Sequence, residues 1–216
     1  MLLSVVVCYG QKSFSVLGDS YSTFAGYIPD GYAIWYDNNV KANNDVCAVE
    51  QTWWSLLAER TGMELIQNNS YSGSTVCNTG YGGADYSDRS FITRMPMTLE
   101  GCPDVLLIFG ATNDSWSNAP MGELKFSDWT SEDLYQALPA YCYMLDWYKR
   151  NAKYTRVICI LNDGLKDKIT YGIIAACEHY DTDYILLDGI DKGDGHPTVA
   201  GMRQICDAVH SFLKTF

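Results

Sequence analysis

Apolar residues fall into short continuous runs separated by stretches with helical spacing. The runs SFSVLGDS (13–20), MELIQNNS (63–70), DVLLIFG (104–110), TRVICIL (155–161) and DYILLDG (183–189) have the length and aliphatic content of buried strands. Between them, EQTWWSLLAERTG (50–62) reads as a helix closed by Gly62. A long helical stretch runs from Thr130 or Ser131 toward Arg150, with Pro139 kinking it or starting a new helix. The segment from about Lys166 to His179 carries Ile169, Ile173, Ile174 and Cys177 at helical spacing. A last helix, capped by Thr198, puts Met202, Ile205, Cys206, Val209 and Phe212 on one face. Strands that alternate with helices predict an α/β fold: a five-stranded parallel sheet covered on both faces.

That architecture assigns a place to the segments without period. Residues 21–49, 72–100 and 111–129 each follow a strand, so all three emerge at the carboxyl edge of the sheet, where open α/β folds bind ligands. Composition adds to this picture. With 47% apolar residues and no shift that marks a linker, the 216 residues read as one domain over 11–216. The 15 basic and 26 acidic residues give a net charge of −11, which disfavours nucleic acid and anionic lipid as partners.

The start, MLLSVVVCYGQKS, holds an apolar run too short to span a bilayer and ends in Cys8-Tyr9-Gly10 before Gln11. Residues 1–10 are read as the remnant of a signal peptide and the protein as exported, the alternative being an ordinary first strand. Cys159 and Cys206 lie in apolar periodic segments and read as buried thiols, whereas Cys47, Cys77 and Cys102 lie in loops and are open to pairing in an oxidising compartment. No Cys-x-x-Cys pair occurs, so neither zinc nor any other metal or cofactor is expected.

Four blocks carry chemistry: LGDSYS (17–22), NNSYSGSTV (68–76), IFGATND (108–114) and GDGHPTVAGM (193–202). A serine hydroxyl needs a base within hydrogen-bond reach, and the tetrahedral intermediate needs fixed donors around its oxyanion. Each block alone is a common turn or cap, but the four in this order resemble the SGNH family of GDSL-type esterases and acyl hydrolases. The resemblance implies a three-layer flavodoxin-like fold with strand order 2-1-3-4-5. It also implies Ser20 as nucleophile, His196 as general base, and the Ser20 amide, the Gly73 amide and the Asn113 side chain as oxyanion donors. Asp19 and Asp114 read as braces of their turns.

Two positions depart from the family pattern. Ala111 stands where glycine is usual in the third block, and Gly193 stands where the family has its aspartate, three positions before the histidine. The third member of the triad is left open among Asp194, Asp191 and a Ser-His dyad whose imidazole is held by a backbone carbonyl. Aromatic residues after the first strand (Tyr21, Phe24, Tyr27, Tyr32, Trp35, Tyr36) are interleaved with Gly, Asp and Ser, and Trp116 follows the third block. Of these, Tyr21, Tyr27, Trp35, Tyr36 and Trp116 are the candidate substrate contacts, because rigid rings mixed with short polar groups suit sugars. The expected substrate is a small-molecule or polysaccharide ester, foremost an O-acetylated carbohydrate. A general short-chain esterase or thioesterase, and a weakened carbohydrate-binding protein on the same fold, are the alternatives.

Overall fold

A computed structural model describes residues 12–214; the expected leader over 1–10 lies outside them. Five strands, β1 (Ser13–Gly18), β2 (Glu64–Ser70), β3 (Val105–Gly110), β4 (Arg156–Leu161) and β5 (Asp183–Leu186), pair in parallel in the order β2-β1-β3-β4-β5. The order implied by the resemblance is therefore the one observed.

The central strands are buried on both faces, and their alternation divides the core in two. Leu17, Leu106, Ile108, Cys159 and Leu161 point to one face, while Phe14, Val16, Leu107, Phe109, Ile158 and Ile160 point to the other. Helices α4 (Ala137–Asn151) and α5 (Asp167–Tyr180) close the first face with Tyr141, Met144, Leu145, Ile169 and Ile173. Helices α1 (Trp53–Thr61) and α6 (Val199–Leu213) close the second with Trp53, Leu57, Met202, Ile205 and Val209. Each such side chain contributes about 1.5–3 kcal/mol when fully buried, which fixes the sheet between its two helical layers.

The expected helices are present, but the long one starts at Ala137 and not at Thr130 or Ser131. Gly62 ends α1 in the left-handed conformation, and the Thr198 side chain caps α6 by accepting from Gly201 N. Pro139 sits in the first turn of α4, after a separate 3-10 turn at Asp133–Tyr135, so it starts a new helix. The carboxyl-edge connections hold two short helices, α2 (Phe91–Arg94) and α3 (Thr112–Trp116), and a two-stranded hairpin of β6 (Lys192–Gly193) and β7 (His196–Pro197).

Cys47, Cys77 and Cys102, left open to pairing by the sequence, are free thiols, as are the other described cysteines. Cys77 follows β2 at the carboxyl edge, whereas Cys102 precedes β3 at the amino edge. The sheet separates them. No helix among the described residues is long and apolar enough to cross a membrane.

Candidate active site

The first strand ends at Gly18, and Ser20 opens a 3-10 turn over Ser20–Ser22. Asp19 caps this turn: its Oδ1 accepts from Tyr21 N at 3.0 Å, while Thr23 Oγ1 donates to Ser20 O at 3.1 Å. Ser20 is thus held rigidly, and its N–H is the first of a helical turn, where no carbonyl of the turn itself can accept it.

His196 arrives from the far end of the chain. In the β6–β7 hairpin, Asp194 and Gly195 both have positive φ (51° and 75°), as a type I′ two-residue turn requires. The turn aims the Asp194 carbonyl at the imidazole, with Nδ1 3.0 Å from Asp194 O, and Nε2 lies 2.9 Å from Ser20 Oγ. A carbonyl only accepts, so Nδ1 carries the ring proton and donates it. Nε2 is then the free lone pair that accepts from the Ser20 hydroxyl. Burial lowers the His196 pKa to about 4, with the Asp194 carbonyl opposing that shift; the imidazole is neutral near pH 7.

Neither candidate carboxylate reaches the ring. The Asp194 Oδ1 accepts from Asn43 Nδ2 at 2.9 Å, and the Asp191 carboxylate accepts from the Thr198 hydroxyl at the start of α6. Position 193 is closed to any side chain, because a Cβ there would overlap the backbone carbonyl oxygen of Asn43. The family's usual aspartate therefore cannot be accommodated while this loop packs on the hairpin. Asn44 fastens the same packing by donating through Nδ2 to His196 O (3.1 Å) and Pro197 O (3.0 Å).

In the loop after β2, Gly73 has φ +82° with open space where a Cβ would stand, and its N–H takes no acceptor among the described residues. Asn113, buried on α3, donates one Nδ2 hydrogen to Ser74 O at 3.0 Å, and its Oδ1 accepts from Tyr81 OH at 2.8 Å. The Tyr81 contact fixes which way the amide faces and leaves the second Nδ2 hydrogen available. Ala111, which caps α3, holds φ +70°, the left-handed conformation a glycine would adopt without strain. Asp114 braces the neighbouring turn: its oxygens accept from Val76 N (2.8 Å) and Cys77 N (3.2 Å).

Beneath these donors lies Arg94, a fully buried guanidinium with no carboxylate partner among the described residues. Its five N–H groups meet five neutral acceptors: Arg89 O, Asn69 O, Asn69 Oδ1, Gly18 O and Ser74 Oγ. Arg94 so ties the ends of β1 and β2 to the Gly73–Ser74 loop. Burial lowers its pKa to about 10, which leaves it charged near pH 7. Burial also raises Asp19 to about 7, and its Oδ2 finds no hydrogen-bond partner.

The aromatic candidates divide into two sets. Tyr21 and Tyr36 are fully buried and serve the hairpin, Tyr21 OH donating to Gly195 O (2.5 Å) and Tyr36 OH to Pro197 O (2.7 Å). Trp35 stacks on the His196 ring with centroids 3.5 Å apart and an interplanar angle of 8°, and Trp116, 42% exposed, stands edge-on to the same ring at 5.7 Å. Tyr27 is exposed and packs on Phe24 and Trp54. Sequence reasoning missed Tyr81, Arg94 and Asn44. Tyr81 had a signal as a lone aromatic among Gly80, Gly82 and Gly83, and Arg94 as a lone cation within the apolar FITRMPM; Asn44 had none. Among the described residues no cluster of His, Cys, Asp and Glu could hold a metal ion.

Comparison with known proteins places the chain in a family. The family model for GDSL-like lipase/acylhydrolase matches residues 12–213. Two crystal structures described as GDSL-like lipases are similar over nearly the whole chain. The one from Bacteroides ovatus shares 47% identity with a TM-score of 0.92, covering 96% of this chain and 100% of that one. The one from Bacteroides uniformis shares 46% identity with a TM-score of 0.92, covering 96% and 98%. A carbohydrate esterase shares the fold at 16% identity and a TM-score of 0.67, over 95% of this chain and 69% of its own. No curated protein sequence matches. With the family matched from residue 12 to residue 213, the chain belongs to the GDSL-like lipase/acylhydrolase family of SGNH hydrolases and is an ester-bond hydrolase.

Proposed function

We propose that Ser20 and His196 work as a dyad that hydrolyses O-acetyl esters of carbohydrates through an acyl-enzyme. The observation that carries this reading is the relay from Asp194 O through His196 to Ser20 Oγ, with both links near 3 Å. The neutral imidazole accepts the Ser20 proton at Nε2 as Oγ attacks the ester carbonyl, and the carbonyl electron pair moves to oxygen. The Ser20 and Gly73 amides and the second Asn113 Nδ2 hydrogen then receive the oxyanion. His196 returns the proton to the leaving alcohol, and water repeats the cycle on the acetyl-enzyme.

A sugar substrate is supported by the rim. Trp116 and Tyr81 are exposed beside Asn113, and both present an apolar ring with a polar edge, the surface that suits a pyranose. The carbohydrate esterase that shares the fold makes the class chemically natural for this scaffold. Export belongs to the same proposal, since acetylated polysaccharides are met outside the cytoplasm.

The test is acetate release from a panel of acetylated oligosaccharides and polysaccharides beside butyryl, octanoyl and thioester substrates. The proposal expects the highest kcat/KM on an acetylated glycan and none in Ser20→Ala. Preference for long acyl chains or thioesters rejects the carbohydrate assignment, and full activity in Ser20→Ala rejects the mechanism.

A further inference from the structure

When Ser20 gives up its proton, His196 becomes an imidazolium in a buried site. In a triad a carboxylate against Nδ1 offsets that charge. Here Nδ1 meets only a neutral carbonyl, and position 193 is sterically closed to the aspartate. The charge must be met by something else.

The aromatic neighbour nearest the ring is the indole of Trp35, stacked at 8° with centroids 3.5 Å apart, against 5.3 Å or more for Tyr21, Trp116 and Tyr36. An indole face carries the most negative quadrupole of the three aromatic side chains and attracts a cation placed over it, more strongly where water is excluded. The Trp35 backbone is also held independently of the imidazole: its main-chain N–H donates to Thr23 Oγ1 at 2.9 Å, and Thr23 Oγ1 donates in turn to Ser20 O. The same anchor therefore sets the nucleophile and the ring that covers the base. A second observation points the same way. Trp35 Nε1 is buried with no hydrogen-bond partner, a penalty of about 1–3 kcal/mol that a phenylalanine would avoid. An electron-rich ring at this position accounts for the indole in spite of that cost.

We propose that Trp35 is a positioning residue that stabilises the His196 imidazolium by a stacked cation–π contact, taking the electrostatic part of the missing triad carboxylate. This inference rests on the Ser20–His196 esterase reading. It moves Trp35 from the candidate substrate contacts to the proton-transfer machinery.

The experiment replaces Trp35 alone by mono-, di- and trifluorotryptophan, which keep its shape while draining its π face. Two quantities are read: the acylation rate constant at saturating aryl acetate, and the His196 titration midpoint by NMR. The charged and titratable groups around the ring are Asp194 and Lys192 on its own loop, Lys41, and the Tyr21 and Tyr36 hydroxyls, and fluorination leaves all of them in place. Lys41 also stands 5.9 Å from the Trp35 centroid.

The inference expects the rate constant to fall stepwise by roughly three- to thirtyfold across the series, with the His196 midpoint moving down and ester affinity nearly constant. Unchanged rate and midpoint, or a change confined to ester affinity, overturns it in an enzyme that Ser20→Ala silences. Hydrolysis that survives Ser20→Ala overturns the esterase reading itself, and this inference with it.

Discussion

The two sides of the site are built from opposite materials. The base side, around His196, is held by backbone carbonyls and aromatic rings: Asp194 O on Nδ1, Trp35 on one face, Tyr21 and Tyr36 on the hairpin. The proposed oxyanion side is held by buried polar side chains: the charged Arg94 beneath the Gly73 loop, Asp19 at the foot of the serine turn, Asp114 across the next turn. The difference follows from what each side must do. A general base works only while neutral, and an apolar surround keeps the imidazole unprotonated. An oxyanion forms only after attack, so its donors must already point the right way, and charged hydrogen bonds fix geometry more firmly than neutral ones.

The strongest way to break this contrast is to remove a donor. Asn113→Ala should lower kcat by roughly 10²–10³ with little change in KM, because the amide meets charge only in the transition state. Steady-state kinetics on an aryl acetate reads it; a loss confined to KM would place Asn113 in ground-state binding. Arg94→Met comes next. It strips five hydrogen bonds and leaves Gly18 O, Asn69 O and Ser74 Oγ buried without their donor, and should cost about 3 kcal/mol or more in urea unfolding. An unchanged midpoint would mean that water or a neighbour replaces the guanidinium.

The two sides also titrate in opposite senses. Asp19 has a folded pKa of about 7, above its ordinary 3.8, so its contribution to stability is full below about pH 4 and is lost as pH rises through 7. His196 has a folded pKa of about 4, below 6.5, so its contribution is full above about pH 6.5 and is lost as pH falls through 4. Between pH 4 and 6.5 the two slopes oppose each other, and the wild-type stability should be nearly flat there for these groups. Asp19→Asn removes one slope. Its stability should then fall as pH drops from 6.5 to 4, measured by denaturant midpoints across that range, and a profile parallel to the wild type would remove the Asp19 assignment.

How far each side was legible in the sequence follows the same division. The strands and their helices were readable because continuous apolar runs and helical spacing depend on local pattern, and α6 even showed its cap at Thr198. Ser20, Gly73 and Asn113 stood out as blocks at strand ends and His196 as a block before the last helix, and the structure brings Ser20 and His196 within hydrogen-bond distance. What escaped were long-range facts. Nothing local to Trp35 says that it will lie on a ring 161 positions later, and nothing local to Gly193 says that the Asn43 backbone will fill its space. Tyr21 and Tyr36 were drawn toward the substrate by composition, whereas burial places their hydroxyls on the hairpin. One local signal was present. Asp194-Gly195 between two extended residues is the favoured sequence for a type I′ turn, and that turn turns the Asp194 carbonyl, instead of its carboxylate, toward the base.

The smallest expected effect is the most discriminating, because it tests whether a carboxylate has any part on the base side. Where a triad aspartate sets the tautomer, changing it to Asn costs roughly 10⁴ in kcat. Here the tautomer is set by a peptide carbonyl, and Asp194→Asn keeps that carbonyl, the turn, and a side-chain oxygen able to accept from Asn43 Nδ2. The loss should be less than about threefold, on the order of a surface change. Asp191→Asn should act as weakly on turnover and show only in stability, since its carboxylate is committed to the Thr198 hydroxyl at the start of α6. Both variants are compared with wild type by kcat from pH 5 to 9, beside His196→Ala as the silent control. A drop of a hundredfold or more in either would show that a carboxylate swings onto Nδ1 during turnover and that the backbone relay is a resting arrangement. Retained activity in both leaves Asp194 O as the group that orients the base, and makes the Asp-Gly turn, not an acidic side chain, the third element of the machinery.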